Sequence, residues 1–462
     1  MANRPDSNPG PLAGEPLTAP PSKTSRMLRA SPPTLLALGF LGLIIIGALL
    51  LWLPQSARTG NIDLFDAFFM ATSAVTVTGL AVIHPAQSLS GFGQTVLVIL
   101  VQLGGLGFVT FAVLTALALG RKLSIRQQAL ALQAFNQTSV ARIKHTAINV
   151  IKLALVIELI AAIILSLWWW RDMPASDAVI NGVYHSIMGF NNAGFSLLDH
   201  GLFPYASDPV VIAVISSLII LGGIGFSVLG DISHKQRWST LMPYTKAMIL
   251  GSIALNLVGF CFILGLEYDN PGTLGPLGWD GKLLSGWMHS VTARTAGFTT
   301  VDVTLMQDST TLLLLVLMFI GGGSLSTASG IKVGTFLVLL AAMWSYIVQR
   351  HDVILLRRSI APDIIQKSLA LLLATLLFAI AGIFLLTLLD DQPFIDLLFE
   401  GISALSTTGL TRNLTTELNQ PAQLVLAVMM FVGRLGPLTL VYSLATRKTR
   451  RVRYPVAEFP VG

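Results

Sequence analysis

Charge is scarce in this chain. Only 11% of its 462 residues are Asp, Glu, Lys or Arg, where a soluble domain carries about 25%. Hydrophobic residues make up 53%, and mean hydropathy is +0.73. That balance excludes a soluble globular domain. The two-residue alternation of a membrane barrel is also missing, which leaves an integral membrane protein of the helical type. Cysteine is nearly absent: Cys261 stands alone in an apolar run, so no intrachain disulfide can form. The seven histidines are scattered without ligand spacing, which argues against a structural zinc site. An intramembrane enzyme finds no support, because the chain has no HExxH, no G-x-S-x-G elbow and no paired intramembrane carboxylates. A nucleotide-binding fingerprint is missing too. No signal peptide is evident: the first apolar run, Leu35 to Leu53, is too long for an h-region and lacks a cleavage site after it. It reads as a membrane helix.

What is present is length in apolar runs. Eight can cross a bilayer at roughly 20 residues each, near 33–53, 93–119, 148–170, 209–230, 243–266, 309–347, 366–389 and 420–445. The sixth is too long for one plain span. The segments 1–32, 120–148, 231–246, 348–367 and 446–462 hold 21 of the 29 Lys and Arg, and the opposite segments 54–92, 171–208, 267–308 and 390–419 hold 16 of the 23 Asp and Glu. By the positive-inside rule both termini are cytosolic. The asymmetry accounts for the net charge of +6 with no nucleic-acid partner. Trp168-Trp169-Trp170 ends the third span as an interfacial aromatic belt would. The basic link 120–148 is amphipathic, suited to the inner leaflet or to docking a partner.

One stretch recurs. Asp66–Leu80 (DAFFMATSAVTVTGL) aligns without gaps on Asn181–Phe195 (NGVYHSIMGFNNAGF), Leu284–Phe298 (LSGWMHSVTARTAGF) and Asp396–Leu410 (DLLFEGISALSTTGL). The shared glycines, Gly79, Gly194, Gly297 and Gly409, are 115, 103 and 112 residues apart. Such a period is the mark of internal repetition. Each copy reads as a short helix and then an extended strand, entering from the outer side between two spans. A glycine in an apolar segment often serves helix packing, but four at matched positions point to four pore loops in one polypeptide. Backbone carbonyls aimed inward from several directions can hold a dehydrated cation, and glycine permits the angles that aim them. The strands are Thr76-Val77-Thr78-Gly79, Asn191-Asn192-Ala193-Gly194, Arg294-Thr295-Ala296-Gly297 and Ser406-Thr407-Thr408-Gly409. Only the glycine is common to all, which predicts one well-formed ring and modest selectivity.

The expected fold is therefore an all-α polytopic membrane protein. It has four tandem helix–pore-loop–helix repeats, eight transmembrane helices in all, around a pseudo-fourfold pore. The boundaries are a disordered cytosolic tail 1–32, repeat 1 at 33–119, repeat 2 with its link at 120–230, repeat 3 at 231–347, repeat 4 at 348–445 and a basic tail 446–462. Glycine clusters at Gly104, Gly222, Gly321 and Gly433 follow the loop glycines by 25, 28, 24 and 24 residues; mid-membrane positions facing the pore are expected for them. The sixth span is interrupted by 321–330 (GGGSLSTASG). Such backbone is tolerated at membrane depth where it lines a cavity or is buried in protein. Its place below the ring suggests a gate made by Gly321, Gly322, Gly323, Ser324, Ser326, Thr327, Ser329 and Gly330, with Lys332 ending it. Arg434 is an isolated intramembrane charge, which marks function by default; it is suited to act as an electrostatic barrier, to bond the loop's carbonyls, or both. Lys332 is placed to snorkel to the inner surface. Arg294 should point back into the protein, with Asp302 or Glu400 as candidate partners. Glu158 and Asn256 read as helix–helix hydrogen bonders, and His185 and His289 as packing histidines.

ATSAVTVTGL (71–80), FNNAGFSL (190–197), TARTAGF (292–298), IGGGSLSTASGIK (320–332) and STTGL (406–410) resemble the Ktr/Trk/HKT superfamily of potassium transporters, and most of all its Ktr-type membrane subunit. The resemblance implies potassium uptake across the cytoplasmic (inner) membrane through the four-loop filter. It also implies a homodimer, sodium-dependent activity, with sodium as activator or permeant ion, and a cytosolic nucleotide-binding regulatory ring. The segment matching 321–330 is the family's intramembrane pore obstruction, and Arg434 matches its pore-facing arginine. Where the family usually has Pro-Gly, this chain has Leu325-Ser326. The rival reading is a sodium- or proton-coupled secondary symporter; such folds often carry inverted repeats, whereas these repeats run in parallel.

Overall fold

The computed structural model describes residues 32–107, 140–235 and 237–436. The tails 1–31 and 437–462, most of the basic link, and the inner ends of the second and eighth apolar runs lie outside the described residues. Those described are predominantly helical. In order come α1 (Pro32–Trp52), the short α2 (Leu64–Thr76) and α3 (Gly91–Gly105), then α4 (Val140–Trp169), the short α5 (Ala175–Asn191), α6 (Pro209–Ile224) and α7 (Phe226–His234). They are followed by α8 (Pro243–Glu267), the short α9 (Trp279–Thr292), α10 (Asp308–Phe319) and α11 (Val333–Ile347), and last by α12 (Pro362–Leu389), the short α13 (Phe394–Ser406) and α14 (Gln420–Leu435). A small hairpin joins α11 to α12: β1 (Ile354–Leu355) pairs antiparallel with β2 (Arg358–Ser359).

The caps explain several helix starts. Asp63 accepts from the Phe65 N–H before α2, Asp208 from Val210 and Val211 before α6, and Asn419 from Ala422 before α14. Each satisfies N–H groups that a helix start leaves open. Proline at the first turn of α6, α8, α12 and α14 removes a donor with no partner there.

Packing runs in a circuit. In three of the four runs the short helix lies against both its long neighbours, α2 on α1 and α3, α5 on α4 and α6, α13 on α12 and α14, while α9 lies on α8. Between runs, α3 meets α5, α6 meets α9, α10 meets α13, and α14 returns to α2. The short helices are thus the centre: Phe69 on α2, Phe190 on α5 and Phe399 on α13 are wholly buried. The long helices turn large apolar side chains outward, as with Leu159 (61% exposed), Leu377 (66%) and Phe384 (61%). Apolar outside and polar backbone inside is the arrangement a bilayer requires. Among the described residues three helices are long and apolar enough to cross a membrane alone, 148–169, 243–267 and 362–389, and α6 with α7 qualifies as a pair bent by 98°.

That bend corrects one expectation. Residues 209–230 read as one plain span, yet the helix breaks at Gly225 (φ 110°, ψ 135°), because its backbone there is held by the segment 321–330. The aromatic belt is corrected as well. Trp170 is exposed, but Trp169 is wholly buried, edge-on to His185 at 5.1 Å. Trp168 donates its indole N–H to Asp208 at 2.7 Å.

Candidate functional site: four glycine loops and the segment that meets them

Three of the four short helices end alike. Val77, Asn192 and Thr407 take the left-handed conformation, and two hydrogen bonds close each end. In the first, the Val77 N–H reaches the Ala74 carbonyl and the Thr78 N–H reaches Ser73. The same pair recurs for Asn192 and Ala193, and for Thr407 and Thr408. This is the Schellman end, whose left-handed position is usually glycine. In the third loop the helix stops at Thr292 and the left-handed residue is Thr295 (φ 71°). Counting back from each loop glycine, Val77, Asn192, Thr295 and Thr407 occupy the same place. The glycines have positive φ too: 95°, 67°, 81° and 83° in chain order. Positive φ two residues apart turns the intervening carbonyl out of the alternation of an ordinary strand. Branched residues resist this region, so strain is concentrated where the four strands meet.

They meet in a closed order. A Cβ added to Gly79 would lie 2.2 Å from the Ala193 carbonyl oxygen, and one on Gly194 would lie 2.8 Å from that of Ala296. One on Gly297 would lie 2.7 Å from the Thr408 oxygen, and one on Gly409 would lie 2.1 Å from the Thr78 oxygen. Each glycine makes room for the carbonyl before the next loop's glycine, and the fourth returns to the first. Among the described residues no three His, Cys, Asp or Glu side chains converge; the oxygens that crowd these glycines are the carbonyls of Thr78, Ala193, Ala296 and Thr408.

Side chains at the head of the strands turn away from the ring. Asn191 donates to Gln102 at 2.7 Å and to Glu158 at 3.3 Å, and Gln102 in turn donates to both Glu158 oxygens at 3.1 Å. Arg294 also points back, but neither candidate carboxylate receives it. Its guanidinium donates to Asn256 at 2.9 Å, to the Ser252 carbonyl at 3.2 Å and hydroxyl at 3.3 Å, and to the Gly321 carbonyl at 3.4 Å. Asp302 is occupied in capping Thr304, and Glu400 has other partners.

Those partners reveal residues whose role the sequence reading missed. Glu400, wholly buried on α13, accepts from the hydroxyls of Thr411 and Thr415 and from the Arg412 N–H. His185, at the equivalent place on α5, bonds Ser196 through Nε2 at 2.9 Å. On α9, His289 accepts from the Thr300 N–H at 3.3 Å. Each ties its short helix to the strand leaving the glycine. The signal was in the alignment: His185 and Glu400 share its fifth column. Arg412 pairs with Asp396 and reaches Val303 and Thr311 of the preceding run, fastening the fourth loop to the third.

Segment 321–330 crosses to the break in α6. The Gly323 N–H donates to Gly223 at 2.7 Å, Thr327 to Gly222 at 3.2 Å, and Phe226 to the Leu325 carbonyl at 2.8 Å. The Thr327 hydroxyl reaches the Phe190 carbonyl at the end of α5 at 3.2 Å. Ser326 bonds within the segment, to Gly323 at 2.7 Å. Leu325 has φ 55°, an angle that proline cannot adopt. A proline in place of Leu325 would therefore require a different local backbone. Three cations hold its carbonyls: Arg294 at Gly321, Lys332 at Ala328 (2.7 Å) and Arg434 at Thr327. Lys332 thus turns into the segment rather than toward the inner surface. Arg434 also donates to Gly104 at 2.7 Å and Gly105 at 3.2 Å. Among the described residues none of the three has a carboxylate within 4.0 Å.

The glycine clusters are corrected in the same way. Gly104, Gly222 and Gly433 do not face open space. A Cβ on them would lie 2.1, 1.8 and 1.9 Å from the carbonyls of Val75, Phe190 and Leu405, each four residues before a loop glycine. They let the second helix press on the end of the short one.

Comparison with known proteins adds independent findings. The family model described as TrkH, cation transport protein, matches residues 36–449. The Ktr system potassium uptake protein B of Bacillus subtilis is 43% identical over 96% of this chain and 100% of its own. The protein of the same name from Vibrio alginolyticus is 38% identical over 92% of this chain and 94% of its own. The potassium/sodium uptake protein NtpJ of Enterococcus hirae is 33% identical over 94% and 98%. Among solved structures, the potassium transporter TrkH from Vibrio parahaemolyticus shares the fold, with a TM-score of 0.70 at 22% identity over 89% of this chain and 84% of that one.

Proposed function

The chain belongs to the TrkH cation transport family, and from that premise we propose that it admits potassium to the cell through a channel-like path lined by the four glycine loops. The observation that carries this reading is the closed circuit of glycines and carbonyls around Gly79, Gly194, Gly297 and Gly409. The carbonyls of Thr78, Ala193, Ala296 and Thr408 replace the water shell of a potassium ion at that level. Segment 321–330, with its three cations, obstructs the path on the inner side. The four repeats then comprise eight spans around a pseudo-fourfold axis, with both termini cytosolic and the loops entering from outside. A homodimer gated by a cytosolic nucleotide-binding ring remains what the family resemblance implies. Sodium enters as activator or second permeant ion, a role favoured by the Enterococcus relative, whose name pairs the two ions.

Rubidium uptake into proteoliposomes holding this chain, driven by an internal potassium excess, tests the reading. Uptake is expected to be blocked by external potassium far better than by lithium, and to persist when imposed sodium and proton gradients are collapsed. Uptake that stops with either gradient would favour the coupled symporter. In folded protein carrying a shortened 321–330 segment, complete absence of uptake would contradict the path.

A further inference from the structure

A basic pocket on the cytosolic side is unrelated to the ion path. Trp238, Lys246, Leu250, Leu356, Arg357 and Arg358, with Pro243, enclose a cavity of about 330 Å³. Three cationic side chains from two separate elements meet there, and no carboxylate is among its walls. The side chains of Arg357 and Arg358 are exposed and make no hydrogen bond or ion pair with another described residue. Lys246 reaches the Ser239 carbonyl at 3.3 Å and lies 5.9 Å from the Trp238 ring.

The hairpin that supplies the arginines is strained. Its two-residue turn places Leu356 at φ 46° and Arg357 at φ 62°, where asparagine and glycine are the usual residues. Such strain clusters at binding sites. Here it directs a basic pair toward the start of α8.

The pocket opens onto an apolar track. Lys246 and Leu250 are four residues apart on α8, and Ile253 and Leu257 continue the same stripe; all three apolar residues are about half exposed. A cationic recess at the foot of an outward apolar stripe is amphiphilic in the sense of a lipid: headgroup below, acyl chain alongside. A soluble phosphate compound would use the recess and leave the stripe unmatched.

We infer that this pocket binds the phosphate of an acidic phospholipid of the inner leaflet, with its acyl chain along Leu250, Ile253 and Leu257. Basic pockets between membrane helices on the cytoplasmic side suit anionic headgroups. The inference rests on the orientation proposed above. Lipid binding and rubidium uptake are read separately, so failure of one is distinguishable from failure of the other.

Native mass spectrometry of the full chain in detergent tests it, with phosphatidylglycerol titrated against phosphatidylcholine. Each basic group at an acidic surface is worth about fivefold in binding. The Arg357→Gln, Arg358→Gln pair is therefore expected to weaken phosphatidylglycerol about 25-fold, and adding Lys246→Gln about a hundredfold. The Arg350→Gln, Lys367→Gln pair, equal in charge on the same side, should leave it unchanged. Equal weakening by both pairs would reduce the effect to net charge and overturn the site. Unchanged binding in the triple variant would overturn it as well. Displacement of the lipid by millimolar inorganic phosphate or adenosine triphosphate would assign the pocket to a soluble phosphate ligand instead.

Discussion

Replacing Gly79 with alanine is expected to lower potassium-selective rubidium uptake by about a hundredfold, the order typically lost when one preorganised group around a charge is removed. Two causes add. The backbone at Gly79 has φ 95°, and an L residue in the left-handed region costs about 1–2 kcal/mol. The new Cβ would also lie 2.2 Å from the Ala193 oxygen, an overlap with backbone that has no side chain to yield. The carbonyl must move, and it is one of the four proposed to face the ion. The same reasoning grades the other glycines. Gly409→Ala meets the Thr78 oxygen at 2.1 Å and should be equally severe, whereas Gly194→Ala and Gly297→Ala, at 2.8 and 2.7 Å, should be milder. Uptake competed with potassium, sodium and lithium, in variants shown monodisperse, reads the series. Unaltered rate and potassium preference in all four would remove the ring from the mechanism.

Arg434→Gln is expected to act in the opposite direction and raise the maximal rate about tenfold. A guanidinium about 10 Å from a passing cation, at an effective dielectric of about 20, opposes it by about 1.7 kcal/mol, which is roughly tenfold in rate. The same side chain tethers segment 321–330 to the end of α3, through Thr327 on one side and Gly104 and Gly105 on the other. Arg434→Lys separates the two effects: it keeps the charge but loses the fork that spans both partners. An intermediate rate for lysine is expected if barrier and tether both count. Shortening 321–330 should raise the rate with Arg434 intact. Rates unchanged in both the glutamine and the shortened variants would leave the segment without a gating role.

Much of this site was legible before any coordinate. The matched glycines, the interrupted sixth span and the lone Arg434 each stand out because they violate what an apolar span prefers. What stayed hidden depends on which element faces which. Glu400 and Asp302 read as equal partners for Arg294, since sequence carries no distance; Asn256 and Ser252 on α8 hold it instead. Neutral acceptors of that kind leave no charge pattern to find. His185 and Glu400 differ chemically, and only their shared column marks a common task. The break at Gly225 depends on segment 321–330, far away in the chain, which bonds that backbone; no local signal near Gly225 marks it. Trp169 was read from its neighbours as part of a belt, yet one tryptophan of three must turn inward when the helix passes a buried histidine.

The central claim is that four backbone carbonyls, one from each loop, hold the transported ion. The most direct test is an anomalous difference map from crystals grown in rubidium. The expected result is a peak equidistant from the carbonyl oxygens of Thr78, Ala193, Ala296 and Thr408, which weakens when potassium is restored. A map with rubidium bound elsewhere in the protein, for instance beside Glu158 or Glu400, and none at that ring would contradict the account.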